Sequence, residues 1–379
     1  MITCRLSVLL ACCCSVQGFP FGLAIDHRLE ISCLPHCYLR IYFAPYGRTS
    51  EMEHMTVSRK LIAERSGVSL RTVTRVLQGD NLVAEGTRQR VLGVVEELGY
   101  TRNKLAGNLS RNKNSNFVVV LVPDMSNYYY LEIFNHLTKF FEKSDYIVSV
   151  CRINEGNLFK TFDIMLENRV SVIINLGFFP INEEYLKKIN SAHIKIIHPG
   201  VGVDPVPVRI NYMGAMDEAF RTFVSRGMKS IKFVCGGGKK FLEDGRLQSF
   251  LQLMDKYGLE KDENSIIWGN YPETNAMETG AEAVRRIYEK CEPDAIFFLA
   301  DAMAFGGMQV LTEMGKTIGK DVSVVGFDNT QMSKFCVPPL STIDSSTETE
   351  IERYIAYILD KNCNNDIIES KFIKRASSV

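Results

Sequence analysis

A chain of 379 residues is long for one domain, and 46% hydrophobic with 23% charged residues suits two or three packed units while excluding global disorder. No run approaches the roughly 18 apolar residues of a membrane span, which excludes an integral membrane protein. The 44 basic and 44 acidic side chains cancel, but the total hides two opposite fields: residues 55–113 hold eleven basic against five acidic residues, and residues 114–379 hold 29 against 35. A small basic head on a larger acidic body is the pattern of a polyanion-binding module joined to a soluble core.

Residues 1–54 stand apart. They contain no lysine and six of the eleven cysteines (Cys4, Cys12, Cys13, Cys14, Cys33 and Cys37). Arg5 with the apolar stretch Leu6 to Val16 has the form of a secretory signal, and Cys33-x-x-His36-Cys37 that of half a metal site. The metal reading lacks a second ligand pair, and export fits poorly with a basic module built for an intracellular polyanion. The favoured reading is a non-native, mis-started extension with Met55 or Met52 as the initiator. The remaining cysteines, such as Cys151 and Cys235 at strand ends, are expected to be small buried hydrophobes.

The basic head, 55–101, predicts three helices. Val57 to Ser66 forms the first, and Gly67 supplies a tight turn. Ser69 caps a second over Leu70 to Leu77, whose Val73, Val76 and Leu77 face inward and leave Leu70, Arg71, Thr72, Thr74 and Arg75 outward. A third runs from about Thr87 to Leu98, with Val91, Leu92, Val94, Val95 and Leu98 apolar. Two helices about a tight turn, the second polar and basic, form a helix-turn-helix unit; a plain three-helix bundle with a solvated face has the same outline.

After residue 114, apolar runs alternate with helical stretches: Phe117–Val122 with 129–143, Ile147–Val150 with 157–168, Val172–Leu176 with 183–190, then Ile194–Ile197. After Pro207 the cycle restarts, with strands expected at Ile231–Cys235, Ser265–Trp268, Ala295–Leu299 and Val322–Phe327. Such alternation implies parallel βαβ sheets, two cycles imply two lobes, and ligands of such folds sit at the carboxyl ends of the strands. The expected lobes are about 114–208 plus 346–375, and about 209–345. Gly236-Gly-Gly-Lys-Lys240 lacks the spacing of a phosphate-binding loop and is read as a flexible loop lining the cleft. His136, His193 and His198 have no metal-ligand spacing, and no nucleophile–base set is recognisable; neither metal, cofactor nor enzymatic activity is expected.

The head sequence Ile62-Ala-Glu-Arg-Ser-Gly-Val-Ser-Leu-Arg-Thr-Val-Thr-Arg-Val-Leu77, with Thr87-Arg-Gln-Arg-Val91 and Glu96-Glu-Leu-Gly-Tyr-Thr-Arg-Asn103, closely resembles the LacI/GalR (lactose-repressor) family of bacterial transcription regulators. The resemblance runs on to the C-terminus and implies an all-α helix-turn-helix head plus an α/β two-lobed core like that of periplasmic binding proteins. It places Leu70, Arg71 and Arg75 at base-reading positions, and Ser69, Thr72 and Thr74 at phosphate or groove-floor positions. Residues 102–113 match the family's hinge, with Asn103, Ala106 and Leu109 meeting DNA and Leu109 acting as the minor-groove wedge. Arg102 in place of proline, and Gly107-Asn108 within the hinge helix, make that helix harder to form.

In the core, Val122-Pro-Asp-Met-Ser-Asn-Tyr-Tyr-Tyr130, Gly245-Arg-Leu-Gln-Ser-Phe250 and Val324-Val-Gly-Phe-Asp-Asn329 match the family's cleft loops. Together with Leu299-Ala-Asp301 and the aromatic position Tyr271, they imply Asp124, Asn127, Tyr128, Tyr129, Arg246, Tyr271, Asp301 and Asp328 as effector-binding residues, with Arg246 anchoring hydroxyls or a carboxylate. Ala300 stands where the family carries an amide that bonds sugars, which puts hexose effectors in doubt. The expectation is a cytoplasmic, nucleoid-associated homodimeric repressor of palindromic double-stranded operator DNA, controlled by a small polar effector, a sugar or sugar derivative, with no membrane partner. The rival readings are an exported binding module, against which Arg71 and Arg75 speak, and a regulator that has lost its effector.

Overall fold

The computed structural model describes residues 57–100, 114–177, 179–198, 208–238, 241–362 and 366–378. The expectations for residues 1–54 and for Asn103, Ala106 and Leu109 lie outside them. The chain divides after Thr101 into two units.

The head consists of α1 (Arg59–Ser66), α2 (Leu70–Leu77) and α3 (Glu85–Glu97). Ser58 caps α1, and Gly67, at φ 67°, ends it by donating its N–H to the carbonyls of Ala63 and Glu64. That left-handed residue lets the chain turn at once into α2, whose N-cap Ser69 accepts from the Thr72 N–H at 3.1 Å. Ile62, Ala63, Val73, Val76 and Val91 form the inner face, flanked by Leu77, Val94, Val95 and Leu98. Leu92, apolar like them, stands 45% exposed. Its neighbours Val91, Val94 and Val95 already occupy the stripe that one face of a 3.6-residue helix can present. α3 also starts two residues earlier than expected, at an Ala84 N-cap that makes no side-chain capping bond.

The core opens with β1 (Phe117–Val122), α4 (Tyr128–Phe141), β2 (Ile147–Arg152), α5 (Leu158–Glu167), β3 (Val172–Asn175), α6 (Glu183–Ser191) and β4 (Lys195–Ile197). The four strands make one parallel sheet in the order β2-β1-β3-β4. Val118, Val120 and Val122 of β1 face one apolar cluster, while Val119 and Leu121 face another. The period-2 alternation of a strand buried on both sides produces this, and it explains the unbroken apolar run.

The second lobe contains β5 (Ile210–Asn211), α7 (Met213–Ser225), β6 (Ile231–Cys235), α8 (Gly245–Lys256), β7 (Ile266–Trp268), α9 (Ala276–Tyr288), β8 (Ala295–Phe298), α10 (Asp301–Glu313), β9 (Ser323–Phe327), α11 (Met332–Phe335) and β10 (Ser341–Asp344). α12 (Thr347–Ile358), β11 (Ile368–Glu369) and β12 (Lys371–Ile373) follow. The larger sheet runs β12-β10-β9-β8-β6-β7, parallel except for β12 against β10. The chain therefore passes between lobes three times. It crosses first before β5. It returns at α12, whose Ile351, Tyr354 and Ile358 pack with Tyr130, Ile133 and Leu137 of α4. It crosses last at β12.

That last crossing corrects the expected division of the lobes. Residues 346–375 do not all belong to the first lobe, because β12 pairs Thr342 with Ile373 and Asp344 with Lys371 on the second lobe's sheet. The short β5–β11 ladder, Ile210 with Ile368 and Asn211 with Glu369, forms a sheet of its own. β5, β11 and β12, of two or three residues and without an apolar run like the one that marked β4, carry too little periodicity to be seen in sequence. Cys235 is buried, which pushes its thiol up to about 12, but Cys151 is only half-buried.

α9 and α10 cross unusually closely. An ideal Cβ on Gly280 would lie 1.9 Å from the Met303 carbonyl oxygen, and one on Gly306 would lie 1.9 Å from that of Met277. Each helix thus presents a glycine to the other's backbone, and α10, buried along most of its length, is pinned between α9 and the sheet.

Candidate functional site

On the head, α2 is the element with the exposed polar face. Leu70 is 52% exposed, and Arg71 and Arg75 are also exposed. The Ser69 and Thr72 hydroxyls lie 2.9 Å apart, and the Thr74 hydroxyl donates to the Leu70 carbonyl at 2.9 Å. These three hydroxyls are therefore engaged in shaping the helix, which leaves the arginines as its extended donors. Arg75 lies 3.5 Å from Asp80, an ion pair that holds it near the helix end. No ion pair or hydrogen bond engages the Arg71 guanidinium among the described residues. A planar donor of that kind, standing free on an exposed helix, suits a guanine edge or a phosphate.

In the core, a cavity of about 380 Å³ opens between the lobes, at the carboxyl ends of the strands. Five of the eight expected effector residues line it: Asn127, Tyr129, Arg246, Tyr271 and Asp328. Asn127 caps α4 through the Tyr129 N–H, which turns the α4 tyrosines toward the opposite lobe. Tyr130, unanticipated, bonds the Tyr271 hydroxyl at 3.0 Å, joining the lobes across the cavity wall. Tyr271, expected as a stacking platform, is 2% exposed and serves this contact as well.

Three expected residues serve other ends. Asp124 accepts from Ser126 with one oxygen and from the Ala276 N–H with the other at 2.9 Å, so it caps the start of α9 from the opposite lobe. Tyr128 sets its ring against Phe305 at 6.5 Å. Asp301 is fully buried and accepts from Thr342 Oγ1 at 2.6 Å and from Thr330 N and Oγ1 at 2.8 and 3.0 Å. It holds the turn after β9 in place. Burial pushes its carboxyl up to about 7, against the pull of these hydrogen bonds. These misplacements share one cause: adjacent residues on one loop point to different sides, and a motif match does not say which.

Arg246 is the best-defined member of the site. Its Nε and Nη2 reach the two oxygens of Asp244 at 2.9 and 2.7 Å, and Nη1 reaches the Leu299 carbonyl at 2.9 Å. Each side chain of the pair is 15% exposed. Burial works against both charges, yet Asp244 keeps Arg246 protonated far beyond its usual range and Arg246 holds Asp244 below the usual carboxylate range. A guanidinium has five donors, and these side-chain bonds use three. Asp244 was legible as the N-cap of α8 two residues before Arg246, a signal the motif match obscured.

Asp328 ends β9 at φ 101°, a conformation non-glycine residues rarely adopt and one that concentrates at functional sites. Its N–H donates to the Ile343 carbonyl, fixing the turn, and its side chain faces the cavity with the residue 8% exposed. Burial, together with the negative charge of Asp301, pushes its carboxyl well above the ordinary range, with Arg246 pulling the other way. On the facing lobe Glu350 accepts from the Tyr129 hydroxyl at 2.9 Å and is also bonded by Tyr354. Tyr212 and Ala300 complete this part of the wall. Ala300 is the N-cap of α10 and makes no side-chain capping bond, so the amide usual in the resembled family is absent there.

Gly236 to Lys240 was expected as a flexible loop lining the cleft, and Lys239 and Lys240 lie outside the described residues. A Cβ on Gly236 would strike the Phe241 ring at 2.3 Å, and the Gly237 N–H donates to the Tyr271 carbonyl at 2.8 Å. Gly236 is packed under that ring, Gly238 is exposed at φ 79°, and none of Gly236, Gly237 and Gly238 lines the cavity. Among the described residues, no group of three or more His, Cys, Asp or Glu side chains is placed to hold a metal ion, and no helix is long and apolar enough to cross a membrane.

Comparison with known proteins agrees with both parts. Residues 60–103 match the model of bacterial regulatory proteins of the lacI family, and residues 220–375 match the periplasmic binding protein-like domain. The chain is 27% identical over 289 residues to the HTH-type transcriptional regulator DegA of Bacillus subtilis, covering 74% of this chain and 84% of DegA. It is 26% identical over 300 residues to the HTH-type transcriptional repressor CytR of Escherichia coli, covering 78% and 86%. Its fold matches that of the lac repressor dimer bound to operator and the anti-inducer ONPF, at 22% identity and a TM-score of 0.66, over 85% of this chain and 99% of that one.

Proposed function

The chain belongs to the lacI family of bacterial regulatory proteins, DNA-binding transcription regulators and not enzymes, and we propose that it is a homodimeric repressor whose hold on a palindromic operator is set by a small polar effector between the core lobes. The observation that carries the effector half is the buried carboxylate of Asp328 facing the cavity that Arg246 also lines. In this reading residues 55–101 bind the major groove, 102–113 form the hinge with Asn103, Ala106 and Leu109 toward the minor groove, and 114–379 bind effector and dimerise. The protein works in the cytoplasm on the nucleoid. Sugar hydroxyls suit Asn127, Arg246 and Asp328, and a cavity of about 380 Å³ falls in the size range of small-molecule sites.

The mechanism follows from the crossing segments. An effector that bridges the α4 end of one lobe and the α8 and β9 ends of the other favours one lobe separation. Its differential contacts with the two separations are the coupling energy, typically about 1–3 kcal/mol. Two cores joined as a dimer convert that change into a new spacing of two heads, which must meet successive major grooves.

Arg71→Ala tests the DNA half. It is expected to weaken operator binding by about 1–3 kcal/mol and to relax preference at one base position, measured by fluorescence titration against operator variants. Equal losses on operator and scrambled DNA would reduce Arg71 to a phosphate contact.

A further inference from the structure

Among the described residues, the charged side chains lining the main cavity are Glu243, Asp244, Arg246, Asp328 and Glu350. The single guanidinium is closed onto Asp244 by two short bonds, so that pair adds no net charge. Glu350 is engaged by the hydroxyls of Tyr129 and Tyr354. Asp328 differs from both. It is more than nine-tenths buried, and no hydrogen bond reaches its carboxylate among the described residues. A buried carboxyl without donors is costly, and the donors that would satisfy it have to come from the cavity.

The surroundings decide what charge those donors carry. The groups acting on Asp328 are the carboxylates of Asp301, Glu350 and Glu132, opposed by Arg246. A second cavity of about 250 Å³ adjoins Asp328, lined by Glu132, Asp344 and Glu348 with His136. A phosphate or carboxylate beside Asp328 would be repelled from both sides. A neutral hydroxyl would donate, but would leave the burden of like charge that pushes the Asp328 carboxyl up. A cation removes that burden and supplies donors. The rings of Tyr129, Tyr130, Tyr212 and Tyr271 line the same cavity, and aromatic walls favour a cation further.

We propose that the ligand held between the lobes carries a protonated amine, as an amino sugar does, and that the amine seats against Asp328. The proposal rests on the reading of this cleft as the effector site. An ammonium group brings three donors to the buried carboxylate that lacks them, while the ring hydroxyls meet Asn127 and the remaining N–H groups of Arg246.

The test is calorimetric titration of the full chain with glucosamine, galactosamine and mannosamine, each beside its neutral parent hexose and the hexose 6-phosphate. At least one amino sugar is expected to bind ten times or more tightly than its neutral parent, with the phosphates weaker still. Asp328→Asn is expected to remove that preference, bringing the amino sugar to the level of its parent. Asparagine tolerates positive φ, so the variant keeps the turn, and an unchanged unfolding midpoint verifies this. A neutral hexose or a hexose phosphate binding as tightly as its amino counterpart overturns the amine and leaves the effector cleft standing. Amino-sugar preference that survives Asp328→Asn overturns the seat. Silence from every member of the panel overturns the amine and the effector reading together.

Discussion

Gly280→Ala is expected to destabilise the core by about 3 kcal/mol or more, the upper end of what overpacking costs. The added methyl would sit 1.9 Å from the Met303 carbonyl oxygen and 2.6 Å from its carbon. These are backbone atoms, so no side chain can rotate away, and relief requires α9 and α10 to part. Gly306→Ala meets the Met277 backbone in the same way and should cost as much. The double variant should cost less than the sum, because one separation of the helices relieves both clashes. Gly93→Ala is the control. It lies within α3 with nothing within 4 Å of its added methyl, and should stabilise the head by about 0.5–1 kcal/mol through helix propensity. Urea unfolding followed separately for head and core measures all four. A loss below about 1 kcal/mol at Gly280 would show that the two helices separate cheaply. The contact also bears on function, because α10 carries Ala300 and Asp301 at its start, and Asp301 holds the turn that presents Asp328.

Arg246→Ala is expected to abolish the effector response and to cost about 3–5 kcal/mol of core stability, as expected when one partner of a buried ion pair is removed. The variant strands Asp244 at 15% side-chain exposure and leaves the Leu299 carbonyl without its donor. Arg246→Lys should recover little, since an ammonium cannot span the two carboxylate oxygens as the guanidinium does. The double variant Asp244→Ala with Arg246→Ala should regain part of the stability and none of the response, which separates the structural role of the pair from its role toward ligand. Operator titration with and without effector, beside urea unfolding, reads both. Normal stability in the single variant would mean that water reaches Asp244, and a normal response would place the effector elsewhere.

Much of this molecule could be read from its residues. The α2 boundaries Leu70–Leu77 follow from Ser69 as a cap and from the spacing of Val73, Val76 and Leu77, because local physics decides a short exposed helix. The strands β1, β6 and β9 were visible as runs rich in β-branched and aromatic residues, interrupted by Lys232 in β6 and by Gly326 in β9. What was not legible depends on pairing at a distance. β5, β11 and β12 are two or three residues long and acquire their identity only from partners more than twenty residues away. The same limit applied to the site. Asp124, Tyr128 and Asp301 belong to matching motifs, yet their orientation is set by Ala276, Phe305 and Thr342, remote residues of the other lobe or of a neighbouring strand. Tyr130 and Glu350 were missed for the converse reason: each looks like an ordinary helix residue until the facing lobe is in place.

The interleaving of the two lobes also sets an order of assembly. Translation runs from N- to C-terminus, and domains tend to fold as they emerge. The head and the β1–β4 sheet are complete early. The second lobe's sheet, however, lacks an edge until β12 leaves the ribosome, after α12 has already been committed to the first lobe. Ser377, which bonds the Val324 carbonyl at 2.6 Å, arrives later still. A nascent chain can therefore present a finished head before it has a finished cavity, and under the proposed function its hold on DNA is for that interval outside an effector's control.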